Sequence, residues 1–203
     1  VAGNEGRLIN YVDIGSVETG RLKHTPEQYV LKNAPSRARQ RVHDGDVIIS
    51  MVRTYLRSIL RISKGLQHCV VSTGFAVLRP RPHVESRWLA YALQRSEFMN
   101  DVVRHSTGMS YPSISSKRLM ALPMTALEIG EQRLVVRYLD NAELRIGRAI
   151  QAKQSLLDRL DELTSAKRWH SLTGGTDSES HLIEGAEWMG AVPSDFQPAR
   201  FKA

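Results

Sequence analysis

Side-chain chemistry needs particular residue types at particular spacings, and this 203-residue chain offers few of them. Its histidines (His24, His43, His68, His83, His105, His170 and His181) are scattered, with no metal-ligand pairing. No Gly-x-Gly-x-x-Gly, Walker loop, His-Glu-x-x-His or Gly-x-Ser-x-Gly pattern occurs. Cys69 is the single cysteine, which excludes an internal disulfide framework and a Cys-rich zinc site. Its neighbours Val70 and Val71 favour a core position over a nucleophile, and His68 would point to the opposite face of a strand. Asp44-Gly45-Asp46 has the carboxylates of a metal pair, yet a tight turn feeding a strand explains it better. Arginine, by contrast, is abundant. Within a net charge of +7, residues 1–128 hold 18 Lys+Arg against 10 Asp+Glu, and 14 of those 18 are Arg. Guanidinium groups suit bidentate contact with phosphate and with guanine edges. The segment is therefore either a polyanion-binding surface or a solubilising one of arbitrary sign.

The elements that would carry these side chains are of mixed type. Leu8-Ile9-Asn10-Tyr11-Val12 reads as a strand that stops at Asp13-Ile14-Gly15-Ser16, and Val47 to Val52 as a second strand, entered from the His43-Asp44-Gly45-Asp46 turn. Ser58–Ile62 and Gly74–Leu78 read as two more. After Pro80 and Pro82 the spacing becomes helical from Glu85, with Trp88, Leu89, Ala92, Leu93 and Phe98 on one side. A Gly108-Met109-Ser110-Tyr111-Pro112 loop follows, then a short segment from Ser113 to Leu122 ended by Pro123.

From Glu131 to Ser171 there is no proline, and Gly147 is the only glycine. Alternate steps of four and three from Val135 pass through Val135, Leu139, Ala142, Ile146, Ala149, Lys153, Leu156, Leu160, Leu163 and Lys167. This 3.5-residue repeat is that of a helix supercoiling on another, so the spacing predicts a long helix with a helical partner. Thr173-Gly174-Gly175 is expected to end it, and the acidic stretch Thr176 to Glu184 to act as a linker. No run of 18 apolar residues and no secretory signal is present, which points to a reducing cytoplasm and away from a membrane. The opening Val1 suggests a fragment or a processed form. The expected fold class is α+β: a mixed-sheet domain at 1–128, a long coiled-coil-forming helix at 129–175, and a linker with the start of a further segment at 176–203.

Several stretches together resemble the specificity (S) subunit of type I restriction–modification systems. They are Asp44-Gly45-Asp46-Val47-Ile48-Ile49-Ser50, then Ser106 to Tyr111 with Ile114 and Leu119, then Leu122-Pro123-Met124. Glu131-Gln132-Arg133-Leu134-Val135, Tyr138-Leu139-Asp140 and Leu172-Thr173-Gly174 are similar to the start, body and end of that family's conserved helix. Glu187 to Phe196 resembles the start of the next recognition domain. Ile129-Gly130 stands where the family has a proline, and one domain with one helix stands where the full subunit has two of each. The resemblance implies a target-recognition domain that reads half of a split DNA site, with paired helices as a spacer. It also implies no catalysis and no cofactor in this chain. S-adenosylmethionine, ATP and Mg2+ would sit on partner modification (methyltransferase) and restriction subunits.

On that reading the expected DNA contacts lie in two loops. Arg53, Thr54, Tyr55 and Arg57 follow the second strand, and Thr107, Ser110 and Tyr111 surround the Gly108 hinge. Lys117 lies on the next short helix, where serines would cap or bind phosphate, and Arg37, Arg39 and Arg41 form a flanking phosphate patch. Val135, Leu139, Ile146, Leu156, Leu160 and Leu163 are the expected helix-pairing residues, in a homodimer or in half of a two-domain subunit. The competing readings are a stand-alone, coiled-coil-dimerising DNA-binding regulator and a nuclease or methyltransferase fragment. The missing motifs count against the second of these.

Overall fold

The computed structural model describes residues 6–172, together with two short strands at Leu182–Glu184 and Ala191–Pro193. The chain divides into two compact units, Val1–Asp140 and Asn141–Ala203.

The first unit is built on two sheets. One has the order β2-β1-β6-β3, from β1 (Leu8–Val12), β2 (Glu27–Val30), β3 (Ala38–Arg41) and β6 (Val70–Ser72). β1 and β6 run parallel and the other pairs antiparallel, so the sheet is mixed. The other sheet is antiparallel, with β4 (Val47–Ser50) between β5 (Ile59–Arg61) and β7 (Phe75–Leu78). All four residues of β4 are buried, as an unbroken apolar run predicts for a strand covered on both faces. Its period of two deals them to two cores. Ile48 joins Val12, Val71, Phe75, Leu60 and Ile62. Val47 and Ile49 join Ile59, Leu89, Leu93, Met99 and Val102 in a core shared with the helices.

The expected strands at 8–12, 47–52, 58–62 and 74–78 correspond to β1, β4, β5 and β7. The single helix expected from Glu85 is two, α1 (Ser86–Gln94) and α2 (Ser96–Arg104). They are separated at Arg95, whose ψ of 138° leaves the helical region. Neither Gly nor Pro marks this break; Phe98, Met99 and Val102 keep helical spacing across it and bury in the same core as α1. α3 (Ser116–Met120) begins at Ser115, whose hydroxyl accepts the Arg118 N–H, so that serine is committed to capping.

α4 (Ile129–Leu172) has 44 residues, which at 1.5 Å each span about 66 Å. Its Glu-Gln start has a mechanical explanation. Glu131 reaches back to accept the Glu128 N–H, as in a capping box. Gln132, almost fully buried, accepts the Glu85 N–H at 2.7 Å and donates to the carbonyls of Leu127 and His83. Glu85 in turn caps α1 through the Trp88 N–H. Val136 is buried in the helical core, and Asp140 accepts from Tyr91 and Arg87, both at 2.8 Å.

In the second unit, β8 (Leu182–Glu184) pairs antiparallel with β9 (Ala191–Pro193). The last three residues of the expected linker are thus a strand. Thr173-Gly174-Gly175 and the rest of Glu187–Phe196 lie outside the described residues. Among the described residues no helix is long and apolar enough to cross a membrane.

Candidate nucleic-acid interface

Two arginines have backbones in the left-handed region, where a β-carbon is crowded. Arg53 has φ 52° and ψ 49°, and Arg57 has φ 52° and ψ 38°; they bracket a 3-10 turn at Thr54–Leu56. Such conformations cost about 1 kcal/mol or more each and persist only where surrounding contacts hold them. The contacts are present. The Arg53 N–H donates to the Pro112 carbonyl at 2.7 Å, and the Arg57 carbonyl accepts from the Thr19 hydroxyl. Thr54 is 1% exposed, with its hydroxyl 2.8 Å from that of Ser106. Because Ser106 gives its one proton to the Val102 carbonyl, Thr54 is the donor. Thr54 is therefore a buried fastener, which corrects the expectation that it contacts DNA. Tyr55, on the same turn, is exposed.

The glycine loop is fastened to this turn. Thr107 and Ser113 exchange N–H···O bonds of 2.9 Å, and Ile114 N–H donates to the Met51 carbonyl. Gly108 has φ 105°, and a β-carbon there would sit 3.2 Å from the Tyr111 carbonyl oxygen, so the turn requires glycine. The closed loop leaves Met109, Ser110 and Tyr111 exposed. Tyr111 lies under Arg53, whose guanidinium carbon is 4.7 Å from the ring centroid. The ring thereby holds the charge in one place without neutralising it.

Arg53 and Tyr111 share a cleft of about 500 Å³ with Arg37, Asp13, Gly15, Val52 and Leu56. Arg37 is placed by its carbonyl, which accepts the Thr73 N–H. Asp13 was not among the expected residues. It accepts from the Tyr11 hydroxyl and the Gly15 N–H, and its carboxylate lines the same cleft as Arg37 and Arg53. Burial raises the Tyr11 phenol above its usual range against an opposing hydrogen bond from Ser72, and the Asp13 carboxylate adds to the rise. The only sequence signal for Asp13 was that it ends β1.

The other expected residues are distributed more widely. Arg57 is half-buried and donates to the Asn100 side chain at 3.3 Å. Thr107 is exposed at the base of the glycine loop, and Lys117 is exposed on α3. Arg39 and Arg41 line a different groove from Arg37, so the arginine patch is split. Asp46 is no metal ligand but a pin: it accepts the His43 N–H and two bonds from Arg79, all at 2.9 Å. Burial pushes the Cys69 thiol up, in keeping with a core position. No three potential metal ligands group together among the described residues.

Of the helix-pairing set, Val135 and Leu139 line an apolar groove of about 330 Å³ with Trp88, Tyr91 and Phe98. Ile146, Leu156, Leu160 and Leu163 are 50–66% exposed. The face of α4 that packs within the first unit is Gln132, Val136 and Asp140, one position round from the expected seam.

No family model matches the chain, and no curated protein matches it. Solved structures do. The crystal structure of the HsdS subunit from Thermoanaerobacter tengcongensis is 26% identical, covering 89% of this chain and 48% of that one, with a TM-score of 0.63. A chain of a structure addressing complex assembly and conformational transition of the type I R-M system is 24% identical. It covers 90% and 47% of the two chains, with a TM-score of 0.64. This chain spans about half the length of each.

Proposed function

We propose that this chain, which has the fold of about half of a type I restriction–modification specificity subunit, is a non-catalytic DNA-recognition element. The observation that carries the reading is the Arg53–Tyr111 pair. A guanidinium is held on strained backbone over an exposed ring, in a cleft with Arg37 and Asp13, in a chain of HsdS-like fold. A preset guanidinium suits guanine O6 and N7, and a carboxylate suits cytosine N4. Arg57, Tyr55, Thr107, Ser110 and Lys117 would position the duplex around it. The stripe Ile146, Leu156, Leu160 and Leu163 would pair with a second such helix, from another copy or from another half, so that two heads read a bipartite site. Modification and restriction subunits would then bring S-adenosylmethionine, ATP and Mg2+, in the cytoplasm.

The test is selection of preferred duplexes from a randomised pool, followed by affinity measurement on preferred and random DNA at fixed salt. Arg53→Ala is expected to cost about 1–3 kcal/mol on the preferred duplex and to relax one position of the motif. An equal loss on random DNA would demote Arg53 to a phosphate contact. Absence of duplex binding by the unaltered chain at low salt would overturn the whole reading. The exposed apolar stripe equally suits a dimeric regulator; capture of a methyltransferase subunit favours the adaptor, and its failure beside intact DNA binding favours the regulator.

A further inference from the structure

The second arginine groove lies away from the Arg53 cleft and has a different chemistry. About 470 Å³ in volume, it is lined by Arg7, Arg39, Arg41, His43, Gln67 and His68 around an apolar floor, with no carboxylate in its lining. Arg39 and Arg41 are exposed on β3, an edge strand of its sheet. Among the described residues no ion pair involves Arg7, Arg39 or Arg41. Asp46, which follows His43 in the adjoining turn, is buried and engaged by Arg79. Arg79 also places a guanidinium nitrogen 2.7 Å from His43 Nδ1. Because arginine only donates, that ring nitrogen is the acceptor. The rim thus presents fixed charge and hydrogen-bond donors.

Arg37, which enters the recognition cleft, stands just before β3 and two residues from Arg39. Cleft and groove are therefore joined by one short stretch of backbone.

Resting on the DNA reading above, we infer that this groove is a separate phosphate-binding site, gripping the sugar–phosphate backbone of a duplex whose bases are read at the Arg53 cleft. It supplies affinity without sequence preference, because fixed cations release counterions equally on any sequence.

The experiment is the salt dependence of duplex binding by the full chain and by Arg39→Ala/Arg41→Ala, on preferred and random DNA. Loss of two phosphate contacts lowers the log–log salt slope by about 1.8 on both, so the advantage of the unaltered chain shrinks about tenfold between about 50 and 200 mM salt. The preferred motif stays the same, and Arg39→Lys/Arg41→Lys restores the slope, since a point charge suffices for phosphate. Both positions are exposed rim residues, and an unchanged melting temperature excludes misfolding. An unchanged slope in the alanine variant, with normal DNA binding by the unaltered chain, overturns the groove and leaves the recognition cleft standing. Loss of methyltransferase-subunit binding with an unchanged slope overturns it in favour of a protein-docking surface. Failure of the unaltered chain to bind any duplex removes the DNA reading itself.

Discussion

α4 presents two stretches of similar apolar content and opposite fate. Over its first three turns the residues that pack on the domain are the buried Gln132 and Val136 and the partly buried Asp140, and the two polar ones are both engaged by hydrogen bonds. Beyond Asn141, Leu144, Ile146, Ile150, Leu156, Leu157, Leu160 and Leu163 are each half or more exposed. The polar pair fixes direction, because hydrogen bonds are satisfied in one geometry only. The leucines fix none and pack on whatever covers them. The two kinds of contact are thus kept apart along the helix, the directional ones at its start and the exposed apolar ones beyond.

The most severe break falls on the leucine stretch. Leu156→Glu/Leu160→Glu places charge where the proposed partner helix packs. Each buried leucine is worth about 1.5–3 kcal/mol, so self-association or pairing should weaken about a hundredfold or more. Sedimentation equilibrium measures this. The melting of the first unit should be unmoved, and an unchanged association constant would show that the stripe has no helical partner.

Gln132→Ala attacks the other stretch. It leaves the Glu85 N–H and the Leu127 and His83 carbonyls short of a buried partner, at about 1–3 kcal/mol in all. Calorimetry should show the first unit melting several degrees lower, with association intact. The two variants together separate anchor from seam.

An acid titration sharpens the contrast, because the first unit depends on a charged pin and the stripe does not. Burial alone would raise the Asp46 carboxyl, but its bonds from Arg79 and the His43 N–H win and hold it below the usual range. A depressed folded value means stability that is fully present above the unfolded value near pH 4. It is lost as pH falls through the folded one. Thermal unfolding of the unaltered chain should therefore fall more steeply below about pH 4 than that of Asp46→Asn. Parallel curves would show the pin to be inert.

What was legible beforehand follows the same division. β1, β4, β5 and β7 were readable because buried strands are apolar runs, and α4 because its repeat is long. β2 and β3 were not. They are edge strands whose Glu27, Arg39 and Arg41 serve the exposed side, so their sequences carry little apolar alternation. Arg53, Tyr111 and Arg37, singled out by residue type, line one cleft, whereas Thr54 is buried, because a hydroxyl looks the same in sequence whether it faces solvent or meets Ser106. Asp13 was not singled out because a carboxylate in a basic segment gives no local sign of lining a cleft with arginines. At the start of α4 the residues packed within the first unit lie one position round from the expected helix-pairing stripe. A 3.5-residue repeat describes packing on another helix, and the first turns pack instead on α1 and the core beneath it.

The finest test of the anchor is its last member. Asp140 accepts one bond from the Tyr91 hydroxyl and one from Arg87, whose side chain is half exposed. A solvent-exposed ion pair contributes at most about 1 kcal/mol, and the tyrosine bond about the same. Asp140→Asn keeps the Tyr91 bond and discards the charge; Asp140→Ala discards both. If the carboxylate acts chiefly as an acceptor for Tyr91, the asparagine variant should melt within about 0.5 kcal/mol of the unaltered chain and the alanine variant lower. A double cycle with Arg87→Ala then isolates the ion pair. A coupling energy above about 1 kcal/mol would mean that the anchor is electrostatic, and its melting temperature should then fall with added salt.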